Sequence, residues 1–405
     1  MSMSLAFQLS FRNILRHRRR NAMLFAAVAI AVLGSSLSMG LVRGWQYDML
    51  DGVVGNLTGH IKVHAPGYRD DPSIQRGFEL ASDYQPDVPT EDLMGWAPRI
   101  LVPAVILSER ETRGIQLVGI DPGAESISFL DKVVIDGENL SGPADSRMII
   151  GKELARQLKT RVGLRLVIMT QGSDGLTRER GFRIAGTYDA EGTGLEKAYV
   201  FSGLQTIQSL LDTDNVTEIS IRLNEEPKKL SIQALLVDFF IGRDLEVMNW
   251  EELNPQAAGL YLFTDSIIYI FFFFIMGALI FGLVNTLIAS VMERTKEFGM
   301  LRALGMNRRT IVLQVVIESV LIMTFGMIFG LVLAYFAFLG MEDGINLGVW
   351  AEGLESFGMR AVLYPIMRVD DFVTIAQMSI FMGVFASYWP AKRATKITPL
   401  EAMRV

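Results

Sequence analysis

Four long apolar runs divide this chain of 405 residues. Glu318 is the only charged residue within the four runs, which are Ala22–Val42, Ser266–Met292, Ile311–Met341 and Phe372–Pro390. Each run reaches the ~18 residues that mark a membrane-crossing helix, because a helix of that length spans the hydrocarbon core. The pattern therefore predicts a membrane protein with four transmembrane α-helices, at 22–44, 261–292, 311–341 and 370–391.

The first run has two possible interpretations. The basic residues Arg16–Arg20 precede it, and Ser36-Leu37-Ser38 resembles a cleavage site, as in a secretory signal peptide. However, the run is longer than the ~7–15 apolar residues typical of a signal peptide. Its length favours a membrane anchor that is not cleaved.

Basic residues near the ends of the spans predict the orientation of the chain. Residues 1–21, 293–310 and 392–405 together hold 14 basic and 3 acidic residues, whereas the whole chain has a formal net charge of −6. Segments rich in Lys and Arg remain in the cytoplasm. We therefore expect an interfacial helix at 1–21, the 293–310 segment and a tail at 392–405 to be cytoplasmic, and a loop at 342–369 to be periplasmic.

The polar stretch 45–260 alternates between strand and helix patterns and is long enough for one or two compact domains. It predicts a large extracytoplasmic α+β domain between spans one and two, and the chain has no Cys to form disulfides. Leu204–Leu211 and Leu230–Phe240 have helical spacing. The predicted strands are His60–His64, Ile115–Ile120, Met148–Ile150, Arg165–Thr170, Phe182–Tyr188 and Glu218–Leu223. Gly67–Asp92 predicts a loop, either a mobile surface loop, which we favour, or a partner-binding loop.

No motif for catalysis or metal binding is present. His60 and His64 would share a strand face, but Lys62 lies between them and no third ligand is close in sequence. The only Gly-Lys pair, Gly151-Lys152, lacks the rest of a phosphate-binding loop, and the sequence has no Gly-x-Ser-x-Gly or His-Glu-x-x-His motif. We expect a subunit with no catalytic residues, metal or cofactor of its own.

Spans two and three have features beyond their apolar character. If Tyr261–Met292 is helical throughout, it measures about 48 Å, which exceeds the ~30 Å hydrocarbon core and predicts a stalk; span three is similar. Gln314 and Glu318 share a helix face and should lie between helices. A proton relay is the alternative for Glu318, although a single acid makes a poor relay. Gly326-x-x-x-Gly330 has the spacing of a helix-contact motif.

A charged amphipathic segment, Glu293–Gly305 (ERTKEFGMLRALG), lies between these two spans. With Asn285 before it and Gln314 and Glu318 after it, this segment resembles the signature of the FtsX-like ABC permeases. The opening Phe11–Arg20 and the tail Pro390–Arg404 are similar to the same family. The family includes the macrolide exporter MacB and the lipoprotein-releasing permeases LolC and LolE.

The resemblance implies a multi-pass protein of the bacterial inner membrane with both termini in the cytoplasm. A second permease would pair with it, as a homodimer or heterodimer, and a cytoplasmic ABC ATPase subunit would bind ATP and Mg²⁺. The 293–310 segment would carry the coupling helix, seated in a groove of that ATPase. Its charged residues would contact the ATPase or pin the helix, and its apolar residues Phe298, Leu301 and Leu304 would fill the groove or face the bilayer. The residues assigned to coupling are Glu293, Arg294, Glu297, Phe298, Gly299, Leu301, Arg302 and Gly305, and the intramembrane polar residues are Asn285, Gln314 and Glu318.

The resemblance favours mechanotransmission, in which ATP hydrolysis in the cytoplasm moves the periplasmic domain, here to release lipoproteins to a periplasmic carrier. MacB carries its ATPase ahead of the first span, whereas this sequence begins near the interfacial helix, so we expect a separate ATPase. The alternatives are a MacB-like exporter of peptides or amphipathic small molecules, an FtsX-like regulator that transports nothing, and a receptor that needs no ATPase. Nucleic acid is not an expected partner.

Overall fold

A computed structural model describes residues 16, 18–81, 84–131, 133, 135–190, 194–293, 295–303, 305–346, 348 and 362–394. The chain forms two compact units. One unit, which we call the membrane unit, comprises residues 1–48, 262–352 and 359–405. The other comprises 49–261 with 353–358, and we call its part 49–261 the interspan domain. The expected interfacial helix at 1–21 lies almost entirely outside the described residues, as do residues 395–405 of the expected tail.

The helices are α1 (Arg18–Val53), α2 (Lys152–Gln157), α3 (Leu195–Ala198), α4 (Leu204–Leu211), α5 (Lys229–Phe239), α6 (Trp250–Leu253), α7 (Pro255–Glu293), α8 (Thr295–Ala303), α9 (Arg308–Leu339) and α10 (Val369–Ala394). The strands are β1 (Ile61–His64), β2 (Leu93–Leu107), β3 (Thr112–Ile120), β4 (Ile135–Gly137), β5 (Arg147–Gly151), β6 (Arg165–Gln171), β7 (Thr177–Tyr188), β8 (Tyr199–Gly203), β9 (Glu218–Leu223), β10 (Glu246–Asn249), β11 (Ile345–Asn346) and β12 (Val362–Leu363).

Four helical stretches among the described residues are long and apolar enough to cross a membrane. They are Asn21–Thr58, Pro255–Ile275, Arg308–Leu339 and Val369–Tyr388. An α+β domain lies between the first and the second of them in sequence, so the predicted fold class is confirmed. The 39 residues of α7 correspond to a helix of about 58 Å.

The interspan domain is built on one sheet of ten strands, in the order β10-β1-β9-β2-β3-β8-β5-β7-β4, with β6 paired to both β2 and β7. Its main core lies between this sheet and the short helices. For example, α4 buries Leu204, Ile207 and Leu210, because apolar residues spaced three or four apart share one helix face. Strand β9 is buried along its whole length between β1 and β2.

Strand β2 is the longest strand of the sheet, and the sequence pattern does not predict it. Its residues Pro98 and Pro103 argue against a central strand, because proline cannot donate a ladder hydrogen bond. The strand tolerates them because it changes neighbours along its length: residues 93–99 pair with β9, 100–107 with β3, and β6 joins only from Ala104. Pro98 lies where β2 has a single neighbour, and Pro103 lies one residue before the pairing with β6 begins.

The segment Gly67–Asp92 is held onto the domain by buried side chains, against the favoured prediction of a mobile loop. Ile74 is buried in the main core, and the Tyr68 hydroxyl donates to the carbonyl oxygen of Leu101. Tyr84 packs edge-to-face against Trp96, with 5.3 Å between the ring centroids. The apolar anchors are too widely spaced in sequence to produce a helix or strand pattern, which is why the sequence reads as a loop.

Candidate functional site

Helix α8 is joined to α9 by a turn of defined geometry. Gly305 has φ +91°, and its N–H donates to Arg302 O at 3.0 Å, while the N–H of Met306 donates to Leu301 O at 3.0 Å. These two bonds form the Schellman motif, in which a glycine with positive φ ends a helix. Asn307 then begins α9, since its side chain accepts a hydrogen bond from the Arg309 N–H at 3.4 Å. The turn therefore fixes the direction of α8 relative to the start of α9.

Packing between α8 and α9 reinforces this arrangement. The Phe298 ring is 3% exposed and packs with Ile311 and Val315 of α9. Leu301 and Met306 cover the same small cluster from its edge. Phe298 was expected to fill a groove of another protein or to face the bilayer, and this expectation is wrong because its ring is already covered by this chain.

The opposite face of α8 is open. Met300 is 65% exposed, and Lys296 and Ala303 are exposed beside it at helical spacing. This face, Lys296, Met300 and Ala303, is called the outer face of α8 below. The sequence reasoning did not assign Met300 or Lys296 to the site. The spacing of four and three residues between Lys296, Met300 and Ala303 indicates one helix face, but Phe298 and Leu301 also have helical spacing, so the pattern alone does not identify the open face.

The charged residues predicted for coupling flank the outer face. Glu293 is exposed at the end of α7, whereas Glu297 and Arg302 are half-buried. Glu297 Oε1 lies 3.6 Å from Arg16 Nη1, and solvent reaches both side chains, so this ion pair contributes little stability. Gly299 is buried within α8, and Arg294 and Leu304 lie outside the described residues.

The intramembrane polar residues separate into two groups. Gln314 and Glu318 are both buried on the same face of α9, next to Ser319, whose hydroxyl donates to Val315 O at 3.0 Å. Asn285 is instead exposed on α7. The structure thus places Gln314 and Glu318 one helical turn apart on the buried face of α9, whereas Asn285 is exposed on a different helix.

Small residues place α1 directly against α9. A Cβ atom added to Gly326 would lie 2.9 Å from Val28 Cβ, and one added to Gly330 would lie 2.7 Å from Ala29 O. The Gly326-x-x-x-Gly330 motif therefore serves a helix contact inside this chain. The first span packs on α9 within the membrane unit.

A buried ion pair joins α1 to α10, and sequence reasoning missed it. Arg43 Nη2 lies 3.1 Å from Asp371 Oδ1, and Arg43 Nη1 donates to Gln46 at 2.8 Å. The other oxygen of Asp371 accepts from the Arg368 N–H at 3.1 Å, which caps the start of α10. The sequence did contain an indication of this pair: Arg43 directly follows the first apolar run, and Asp371 directly precedes the fourth.

The two histidines of the interspan domain are structural. His60 Nδ1 accepts a hydrogen bond from the Leu223 N–H at 3.0 Å, and burial, with the nearby charge of Arg222, lowers the pKa of His60 to about 4. His64 is almost fully buried, with Nδ1 3.0 Å from Ala65 O. Within the described residues, no three His, Cys, Asp or Glu side chains lie close enough to hold a metal ion.

Two family descriptions match this chain. "FtsX-like permease C-terminal" matches residues 269–399, and "MacB-like periplasmic core domain" matches residues 22–236. Together with the four apolar helices, these matches define the class as the permease of an ABC transporter. The chain belongs to the MacB-like periplasmic core domain family, since that match covers more than half of its residues.

Named relatives align along nearly the whole chain. The "lipoprotein-releasing system transmembrane protein LolC" of Xylella fastidiosa (strain Temecula1) is 22% identical over 414 residues, covering 96% of each chain. LolE of Haemophilus influenzae is 21% identical over 407 residues, covering 94% of this chain and 93% of its own. The crystal structure of the periplasmic region of MacB from Actinobacillus actinomycetemcomitans covers 51% of this chain and 96% of its own, with 12% identity and a TM-score of 0.36. The chain is thus an ABC transporter permease of the LolC, LolE and MacB type, a protein of the bacterial inner membrane.

Proposed function

We propose that this permease couples ATP hydrolysis by a separate cytoplasmic ABC ATPase to movement of its periplasmic domain, and that the movement releases lipoproteins from the inner membrane. In this proposal the interspan domain is the periplasmic domain and α8 is the coupling helix. The chain itself contributes no catalytic residue. ATP and Mg²⁺ bind to the partner ATPase, and a second permease completes the complex.

The geometry of α8 is the observation that carries the proposal. One side of the helix is locked to α9 by Phe298 and by the Gly305 and Asn307 turn, while the outer face presents Met300. A protein that pushes on Met300 therefore pushes on α9 as well, because α8 cannot turn independently of it. A flexible connector would absorb such a push.

Contacts within the membrane unit extend this path. Helix α9 packs on α1 at Gly326 and Gly330, and Gly383 of α10 packs on Met323 of α9. Arg43 and Asp371 then hold α1 to α10. Packed side chains of this kind move together or exchange between discrete arrangements, so a displacement of α9 reaches α1 and α10.

The charge distribution supports the orientation that the proposal needs. Residues 293–310 carry five Lys and Arg residues, and a connector rich in these residues favours the cytoplasmic side. The 342–369 connector, on the other side of α9, carries two basic and four acidic residues. A cytoplasmic ATPase would therefore have access to α8 but not to the interspan domain.

The proposed substrate class is supported by a relative named for lipoprotein release, which aligns over 96% of this chain. A MacB-like exporter is the second candidate, because relatives named for macrolide export also match; one from Agrobacterium fabrum is 25% identical over 223 residues. Both candidates use the same coupling geometry and differ in what is released.

The experiment that separates the two candidates measures ATP hydrolysis by the permease–ATPase complex in proteoliposomes. A triacylated lipoprotein should stimulate hydrolysis, whereas the same protein without its acyl chains and a macrolide should not. Stimulation by the macrolide alone would replace lipoprotein release with small-molecule export. Absence of any ATPase that binds the permease would refute the proposal as a whole.

A further inference from the structure

The residues that follow α1, Val54–Thr58, are packed inside the interspan domain. Residues Val54–Thr58 form a wide turn that closes with the Gly59 N–H donating to Val54 O at 2.9 Å. Within this turn Leu57 has φ +66°, which is a costly conformation for a residue with a branched side chain, and its side chain is buried. A strained residue persists only where its surroundings hold it in place.

Arg99 of β2 holds the strained residue. Its guanidinium is completely buried, and Nη1 donates to Leu57 O at 2.8 Å. The Ser220 hydroxyl donates to the same carbonyl oxygen at 2.9 Å. Nε and Nη2 of Arg99 form a bidentate pair with Glu125, at 2.6 and 2.8 Å. Burial alone would lower the pKa of Arg99, but the charge and hydrogen bonds of Glu125 raise it above its usual range, so the group stays cationic.

A second arginine fixes the end of α1 in the same way. Arg222 of β9 donates to the Asp51 carboxylate in the last turn of α1 and to Ile127 O at 2.8 Å. The turn then meets the sheet at Gly59, where the backbone has φ +72° and a Cβ would lie 2.8 Å from Ile221 O. We call Asp51, Leu57, Arg99, Glu125, Ser220 and Arg222 the exit joint.

The start of α7 packs against the end of α1 beside the exit joint. Trp250 is completely buried and forms a cluster with Leu50 and Val54, against which Ala257 and Tyr261 of α7 pack. The backbone N–H of Trp250 donates to the backbone carbonyl oxygen of His60 at 3.0 Å, which connects the cluster to the residue before β1. Both helices that lead into the interspan domain are therefore bound to each other and to its sheet.

Burying two arginine side chains costs desolvation free energy, which their attraction to buried carboxylates must offset. Apolar side chains of similar volume often give equal or greater stability, whereas a bidentate arginine–carboxylate pair adds a specific geometry. The Arg99 guanidinium joins Leu57, in the turn after α1, to Glu125. The Arg222 guanidinium joins Asp51, in the last turn of α1, to Ile127. The arrangement fixes direction and distance, which a purely apolar contact would not.

We infer that the exit joint passes the movement of α1 to the sheet of the interspan domain, with Arg99 and Arg222 as positioning residues. This inference rests on the proposed mechanotransmission. A rigid joint makes the interspan domain follow α1, while a loose one lets α1 move and leaves the domain behind.

The test compares Arg99→Lys and Ser220→Ala with the matched control Arg147→Lys. Lysine keeps the charge at position 99 but cannot hold Glu125 and Leu57 together, and Ser220→Ala removes one donor while the Arg99–Glu125 pair remains. Arg147 of β5 likewise pairs with two carboxylates, those of Asp145 and Glu138, but it is partly exposed and lies outside the joint.

The chain has no Cys, so spin labels can be placed on cysteines at the exposed positions Tyr47 and Leu176 alone. Pulsed electron spin resonance on the full chain should give a wider Tyr47–Leu176 distance distribution in both joint variants than in the wild type and Arg147→Lys. In proteoliposomes with the ATPase, release of a triacylated lipoprotein per ATP should fall about tenfold in Arg99→Lys, within the range of ordinary coupling energies.

Two results would overturn the inference. One is an unchanged distance distribution in both joint variants. The other is a loss of release that follows the lowered thermal unfolding temperature of the variants, since the joint would then be structural only. If the wild type itself shows no ATP-driven release, the proposed function fails, and the distance distributions still decide whether the joint is rigid.

Discussion

At the residue scale, the proposed coupling depends on Phe298, whose ring packs α8 onto α9. Removing its ring opens a cavity against Ile311 and Val315, and losing a buried phenylalanine costs about 3–5 kcal/mol. We expect Phe298→Ala to speed hydrogen exchange of the backbone amides of α8, measured by mass spectrometry. Met300→Ala, which truncates an exposed side chain on the same helix, should leave that exchange unchanged. Equal exchange in both variants would mean that the ring does not pin α8.

The lowered pKa of His60 predicts that the interspan domain loses stability in acid. Burial holds the pKa of His60 at about 4, below the ordinary value of 6.5. Between these pH values His60 is protonated in the unfolded chain and neutral in the folded chain. The free energy of unfolding therefore falls as the pH drops through this window, by about 3 kcal/mol in total. We expect the thermal unfolding midpoint in detergent, followed by tryptophan fluorescence, to decline more steeply from pH 6.5 to 4 in the wild type than in His60→Gln. Parallel declines would show that other groups account for the acid sensitivity.

The sequence could indicate that 293–305 forms a charged helix, but not which side of it is open. Phe298 with Leu301 and Lys296 with Met300 lie on two faces that both have helical spacing. The choice depends on Ile311 and Val315, which need a cover because the turn at Gly305 and Asn307 folds α8 back toward them. Tertiary geometry of that kind is absent from a residue pattern.

At the scale of elements, the contact between α1 and α9 depends on the absence of side chains at two positions. A side chain at Gly330 would collide with Ala29 O and Val32 Cβ, whereas a Cβ at Gly277 of α7 meets nothing within 4 Å in this chain. We expect Gly330→Leu to lower the thermal stability of the purified protein and to separate the helices, detected as lost cross-linking by a short bismaleimide between cysteines introduced at Phe25 and Phe329, whose rings are in contact. Gly277→Leu is the matched control. If Gly330→Leu retained the cross-link and the stability of this control, the described packing would be contradicted.

The elements that could be predicted well from the sequence are those whose apolar residues recur at helical or strand spacing. Glu218–Leu223 and Leu204–Leu211 form a strand and a helix with the predicted bounds, because each lies in a uniform environment along its length. Strand β2 escaped prediction because its environment changes at Pro98 and Pro103. The Arg43–Asp371 pair and the Arg99–Glu125 pair escaped for another reason, since their partners lie far apart in sequence and no local pattern connects them.

At the scale of the whole molecule, the class of protein could be read from the sequence because it rests on spans, charge asymmetry and a local signature. The proposed path for movement could not be read in this way, because it consists of contacts between segments that are distant in sequence. Gly326 and Gly330 illustrate the limit: their spacing predicts a helix contact, and only the fold identifies α1 as the partner. The substrate depends on surfaces that recognise another molecule, and it remains part of the proposal.

The central claim is that an ABC ATPase engages the outer face of α8, and site-specific cross-linking tests it most directly. A single cysteine introduced at Met300 of this Cys-free chain, carrying a photoreactive benzophenone, should cross-link to the ATPase in membrane vesicles. The same probe at Met94, which is exposed in the interspan domain, should not. Cross-linking from position 94 with none from position 300 would contradict the account.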